Sequence, residues 1–130
     1  MKKLRVMLLE DETFTRQTIK TALEQNDIKV VFDTDQVALA IEYASENPLD
    51  VAVCDYNLGK GPNGIDAANA LRRLQEDLGI VLLTAFLNPR QLESKMSKLP
   101  RGSKYLIKHS VTDIGVLVRE IEAVAGRSGR

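Results

Sequence analysis

The sequence predicts a single α/β domain, with five parallel strands and five helices covering both faces of the sheet. Three observations predict it. Short apolar runs alternate with longer segments of helical periodicity. Three of the runs are nearly continuous in Val, Ile, Leu and Met, without the polar alternation of a half-exposed strand, which suits strands covered on both faces. The length of 130 residues is enough for one core and too little for two full-sized domains.

The elements follow in order. The first strand spans 4–9 and contains Val6-Met7-Leu8-Leu9. The first helix spans about 14–25, with Ile19, Ala22 and Leu23 on one face. The second strand is 29–34, and the second helix runs from about 36 to 45 with Val37, Ala40, Ile41 and Ala44. The third strand is 51–55, followed by a helix over about 65–74 after Asn63-Gly64. The fourth strand, 80–84, contains Ile80-Val81-Leu82-Leu83. The fourth helix begins at Asn88-Pro89, an N-cap followed by Pro at the first helical position, and ends by Pro100-Arg101-Gly102. The fifth strand is 104–107. The last helix begins near Thr112-Asp113, and Ile114, Leu117, Val118, Ile121 and Val124 form the single stripe that lies on the sheet. Each strand–helix–strand crossover should be right-handed. Residues 1–125 then form the domain, and Gly126-Arg127-Ser128-Gly129-Arg130 reads as a flexible tail or the start of a linker.

Composition narrows the function. Lys plus Arg and Asp plus Glu both number 18, so the surplus positive charge of a nucleic-acid binder is missing. There is no basic amphipathic face for a membrane surface, and no apolar run long enough for a transmembrane helix or a signal-peptide core. One cysteine, Cys54, leaves no internal disulfide and no cysteine-based zinc site. One histidine, His109, argues against a His-rich metal site. The expected compartment is the cytoplasm.

Ligands of an open parallel sheet bind beyond the carboxyl ends of its strands. Glu10, Asp11 and Glu12 follow the first strand, Asp55 ends the third, Thr84 ends the fourth and Lys108 follows the fifth. Carboxylates held close repel one another unless a cation joins them. Mg²⁺ suits such an oxygen-rich pocket, because it binds one or two carboxylates and leaves positions for water and phosphate oxygens. Lys108 and Thr84 could hold further phosphate oxygens, and a carboxylate beside the metal could attack phosphorus to give an acyl phosphate. Taken singly, each residue has a bland explanation: Glu12 suits the start of a helix, and Thr84 or Lys108 could be ordinary surface groups. Independent bland explanations for every position on one edge are harder to sustain than a single site.

Met7-Leu8-Leu9-Glu10-Asp11-Glu12, Asp55-Tyr56-Asn57-Leu58, Leu82-Leu83-Thr84-Ala85 and Tyr105-Leu106-Ile107-Lys108 together resemble the receiver domain of two-component response regulators. The ordered set covers nearly the whole chain, to about Ala125. The resemblance implies a flavodoxin-like fold with strand order 2-1-3-4-5, an order that receivers are known to share. It implies that Asp55 accepts a phosphoryl group from a sensor histidine kinase. It implies Mg²⁺ held by Asp11, Asp55 and the backbone carbonyl of Asn57, with Glu10 acting through water. Lys108 would pair with Asp55 and then with the phosphoryl group. Thr84 would turn its hydroxyl onto a phosphoryl oxygen and Tyr105 would follow, changing its burial on the face of helix 4, strand 5 and helix 5. That face would also serve a homodimer.

The chain departs from the usual receiver pattern at three places. His109 stands where receivers usually carry Pro after the Lys, often in cis, and a cis bond to a non-Pro residue costs about 2.5–4 kcal/mol. The loop from Asp55 to Gly64 is one residue longer than usual. The segment between Thr84 and Lys108 is also longer and holds Pro100, so helix 4 should be short or irregular. Other signals are set aside. Gly59, Gly61 and Gly64 fit a dinucleotide fingerprint, but Asp55 lies just upstream and would repel a pyrophosphate, so the glycines read as a tight loop. Cys54 should point into the core. His109 reads as a loop residue rather than a base.

Three functions compete. The leading one is a phosphorylatable switch that catalyses only its own phosphotransfer and autodephosphorylation. The glycine-rich loop and the Lys98-to-Tyr105 stretch look like receivers preceding a LuxR-type DNA-binding domain, so the output would be transcriptional, through an effector domain absent from this chain. A haloacid-dehalogenase-type phosphatase would need an acid two residues after the nucleophile, where Asn57 stands. A receiver-like interaction module working without phosphorylation would be marked by loss of Asp55, Asp11 or Lys108, and all three are present.

Overall fold

The computed structural model describes residues 3–85, 88–108 and 114–125, apart from the side chains of Pro89 and Leu92. The elements run β1 (Arg5–Leu9), α1 (Thr13–Glu24), β2 (Lys29–Thr34), α2 (Val37–Glu46), β3 (Val51–Asp55), α3 (Gly64–Leu74), β4 (Gly79–Thr84), α4 (Pro89–Met96), β5 (Lys104–Ile107) and α5 (Ile114–Ala125). The alternation read from the apolar runs is the one observed, with element ends moved by a residue or so. The expected start of the last helix at Thr112-Asp113, the residue His109 and the tail from Gly126 lie outside the described residues.

All neighbouring strands are parallel, in the order β2-β1-β3-β4-β5. The three central strands are those with continuous apolar character. Val6 to Leu9, Val51 to Cys54 and Ile80 to Leu83 are all fully buried, because helices cover them on both sides. The edge strands β2 and β5 keep exposed or half-buried positions. One core face packs Met7, Leu9, Ala52, Cys54, Ile80 and Leu82 against α2 and α3. The other packs Val6, Leu8, Val53, Val81 and Leu83 against α1 and α5. Cys54 lies in the first of these faces, as alternation from Asp55 requires. The α5 stripe buries Leu117, Ile121 and Val124.

Polar side chains fix the elements to one another. Gln75 accepts from the Leu49 backbone N–H at 2.9 Å and donates to the carbonyls of Ala44 and Asn47 at 2.9 and 2.7 Å, closing the junction of α2, β3 and α3. Asp33 at the end of β2 receives Arg16 and Lys20 of α1, each at 3.2 Å. Arg16 also donates to the Glu10 carbonyl at 2.8 Å, so α1 is held against the end of β1.

Candidate functional site

The ends of β1, β3 and β4 and the turn after β5 meet at one edge of the sheet. Parallel pairing sets this up: Leu9 lies beside Cys54, Asp55 beside Leu83, and Thr84 beside Ile107. The residue following each of these strand ends is therefore delivered to the same rim. One carboxylate oxygen each from Glu10, Asp11 and Asp55 lies within 4.8 Å of the others. Glu10 and Asp55 are buried and Asp11 is exposed, so the cluster opens to solvent on the Asp11 side.

Lys108 supplies the counter-charge. Its Nζ lies 3.3 Å from Asp55 Oδ2 and 3.0 Å from Glu10 Oε1. The resemblance implies only the first of these contacts. No signal in the sequence reveals the second, because it depends on how β1 and β5 sit across the intervening strands. Glu10 Oε2 accepts from the Glu12 backbone N–H at 3.0 Å. Glu10 Oε1 is fully buried and is paired with the Lys108 ammonium at 3.0 Å, as a buried carboxylate requires. The donor set is hard oxygen throughout, which fits Mg²⁺.

The electrostatics follow from this crowding. The Asp55 carboxyl is pushed up to about 7, first by burial and then by the Glu10 charge; Lys108 pulls it down, and Asp11 adds a smaller upward push. For Lys108, burial works to lower the pKa. The Glu10 contact and the Asp55 charge outweigh it, and the net shift is upward, so the ammonium stays charged. The Glu12 carboxylate takes no part in the cluster; it accepts a hydrogen bond from the Thr15 hydroxyl on the first turn of α1.

The loop beyond Asp55 is built around close backbone approach. The Tyr56 N–H donates to the Leu83 carbonyl, and the Tyr56 carbonyl accepts from the Gly64 N–H, both at 2.7 Å. A Cβ on Gly64 would sit 2.2 Å from the Asp55 carbonyl oxygen, so only glycine fits there. Gly59 and Gly61 play the turn role expected of them, at φ +84° and +93°. Gly64 differs, since it is the first residue of α3. Asn63 caps that helix, accepting from the N–H groups of Ile65 and Asp66, while Asp66 accepts from the Asn63 N–H. Asn57 lies in the exposed part of the loop, where its side chain accepts from the Gly59 N–H at 3.2 Å.

Thr84 is fully buried at the end of β4. Tyr105 is 42% exposed on edge strand β5, beside Leu82 rather than Thr84 in the strand register. Sequence reasoning missed a further contact: Lys95 of α4 donates to the Tyr56 hydroxyl at 2.7 Å. The short α4 anticipated from Pro100 is found, with eight residues.

Residues 6–113 match the family model described as the response regulator receiver domain. The chain is 30% identical over 124 residues to a nitrate/nitrite response regulator protein homolog of Haemophilus influenzae, covering 95% of this chain and 57% of that protein. It is 35% identical over 80 residues to the nitrate/nitrite response regulator protein NarP of Escherichia coli, covering 61% of this chain and 37% of that one. It spans about half or less of these relatives' length. Among solved structures, a LuxR-family two-component response regulator from Aurantimonas superposes with a TM-score of 0.81 at 27% identity, covering 97% of this chain and 88% of that one. Among the described residues, no helix is long and apolar enough to cross a membrane.

Proposed function

The chain belongs to the response regulator receiver domain family, and from that premise we propose that it is a phosphorylatable switch whose acceptor is Asp55. The observation that carries the reading is the convergence of Glu10, Asp11, Asp55 and Lys108 at one sheet edge. An Asp55 carboxylate oxygen attacks phosphorus of a phosphohistidine on a sensor kinase. The phosphorus–nitrogen bond breaks, its electron pair stays on the imidazole nitrogen, and that nitrogen takes up a proton. Lys108, already 3.3 Å from the acceptor, follows the negative charge from the carboxylate to the phosphoryl oxygens. The Thr84 hydroxyl donates to one of those oxygens, and Tyr105, starting from its exposed position, changes its burial in response.

Asp11, Asp55 and the Asn57 carbonyl would hold Mg²⁺, with Glu10 acting through water, and the ion would supply neutralising charge for the transferred group. Residues 1–125 constitute the switch. Its output is transcriptional, through an effector domain outside this chain, with a homodimer formed on α4, β5 and α5. The compartment is the cytoplasm. Presence of the full acidic set together with Lys108 favours this reading over a phosphate-independent interaction module.

The test is incubation with Mg²⁺ and beryllofluoride, followed by NMR. The expected result is an adduct that needs Mg²⁺ and shifts resonances near Asp55, Thr84 and Tyr105. An adduct that survives Asp55→Asn would remove Asp55 from its assigned role.

A further inference from the structure

Consecutive residues of an extended strand point to opposite faces. Glu10 and Asp11 nevertheless both bring a carboxylate oxygen to the cluster with Asp55. The chain must therefore turn where β1 ends, and Asp11 lies at a bend. Three hydrogen bonds hold that turn. The Glu10 N–H donates to the Thr34 carbonyl at 3.0 Å, and the Glu12 N–H donates to Glu10 Oε2 at 3.0 Å. The third comes from outside the cluster, where Arg16 Nη1 donates to the Glu10 carbonyl oxygen at 2.8 Å.

Arg16 stands on the first turn of α1, and its side chain is only 14% exposed. Its Nε donates to Asp33 Oδ2 at 3.2 Å. The guanidinium is planar, so contacts to Asp33 and to Glu10 fix its position and its angle together. The peptide group is planar too, so a carbonyl held in place sets the course of the chain into Asp11. Lys20 shares Asp33 with Arg16, also at 3.2 Å, but of the two cations Arg16 is the one that reaches Glu10. We propose that Arg16, anchored by Asp33, is a positioning residue for the divalent cation: it holds the Glu10–Asp11 peptide in the turn that aims both carboxylates at the site. This rests on reading the acidic cluster as the Mg²⁺ site. A guanidinium offers a metal no lone pair, so Arg16 acts through the backbone alone. Its charge and its hydrogen bond work in opposite directions on a cation. The charge repels the ion, whereas the hydrogen bond keeps the ligands in order.

The test is Mg²⁺ titration of the full chain by calorimetry, with urea unfolding of each variant measured without the ion. Arg16→Met is expected to bind Mg²⁺ about tenfold more weakly, the low end for losing a group that orients metal ligands. Arg16→Lys keeps the charge but lacks the fork that reaches Asp33 and the Glu10 carbonyl together, so it should be weakened as well. It carries the test if Arg16→Met does not fold. Lys20→Met removes the same charge from Asp33 without touching Glu10, and should stay within about twofold of the parent affinity. In the metal-free chain, the Asp11 amide resonance should move in both Arg16 variants and stay in place in Lys20→Met. Parent-like or tighter Mg²⁺ binding in the Arg16 variants overturns the proposal whatever their urea midpoints, because a purely structural role lowers stability alone. Equal weakening in Lys20→Met overturns it too, because the charge around Asp33 would then be the cause. A parent chain that binds no Mg²⁺ sinks the metal-site reading instead, and the positioning role with it.

Discussion

Helices α3 and α4 follow two adjacent strands, which end in Asp55 and Thr84, yet the two helices are held in different ways. Both are capped by an asparagine. Asn63 accepts from the N–H groups of Ile65 and Asp66, and Asn88 from those of Arg90 and Gln91. Their packing separates them. Helix α3 buries Gly64, Ile65, Ala67, Ala68 and Leu71, whereas α4 buries none of its described side chains. A cap decides where a helix starts, and burial decides how firmly it stays. The loop after Asp55 is thus clamped to a well-buried helix on one side and faces, on the other, a helix whose described side chains are half-buried or exposed.

The most severe way to break this contrast is at the clamp. Gly64→Ala places a methyl group against the Asp55 carbonyl. It should cost roughly 2–4 kcal/mol of stability in urea unfolding, with the Asp55 loop displaced. The next largest effect has the opposite sign. The Asp55 carboxyl titrates near 7 in the folded chain, against an ordinary value near 4. The folded state holds the proton more tightly, so this group's contribution is fully present below the ordinary value and is lost as pH rises toward and through 7. In Mg²⁺-free buffer at pH 8, Asp55→Asn should therefore stabilise the chain by about 1–3 kcal/mol, and the gain should fade by pH 4; equal unfolding midpoints at pH 8 would contradict the crowded-carboxylate account. The smallest effect sharpens the comparison of caps. Asn63→Ala should lower global stability by about 1 kcal/mol. Asn88→Ala should change it by less than about half of that, while speeding amide exchange within α4 alone.

The sequence made the scaffold legible because burial leaves a mark in residue type. Continuous apolar runs marked three strands as covered on both faces, and the structure shows β1, β3 and β4 buried in that way; the α5 stripe showed which side faced the sheet. The cluster of Glu10, Asp11, Asp55 and Lys108 was legible because each terminates or follows a strand, and a parallel sheet sends all such positions to one rim. Contacts that need a third dimension were not legible. Lys108 on Glu10 joins two strands that are not neighbours in the sheet, and Lys95 on Tyr56 spans 39 residues with no motif to announce it. Gly64 left a partial signal: its type was noticed, but a helix start pressed onto the Asp55 backbone looks, in one dimension, like any loop glycine.

The single thiol has a practical consequence. Cys54 is sealed between the sheet and α2–α3, and burial with the adjacent Asp55 charge pushes its pKa up to about 12. Thiol reagents act on the thiolate, so at neutral pH they will pass this residue by. A fluorophore can therefore be attached at a newly introduced surface cysteine, such as Leu39→Cys on α2, without first removing the native one.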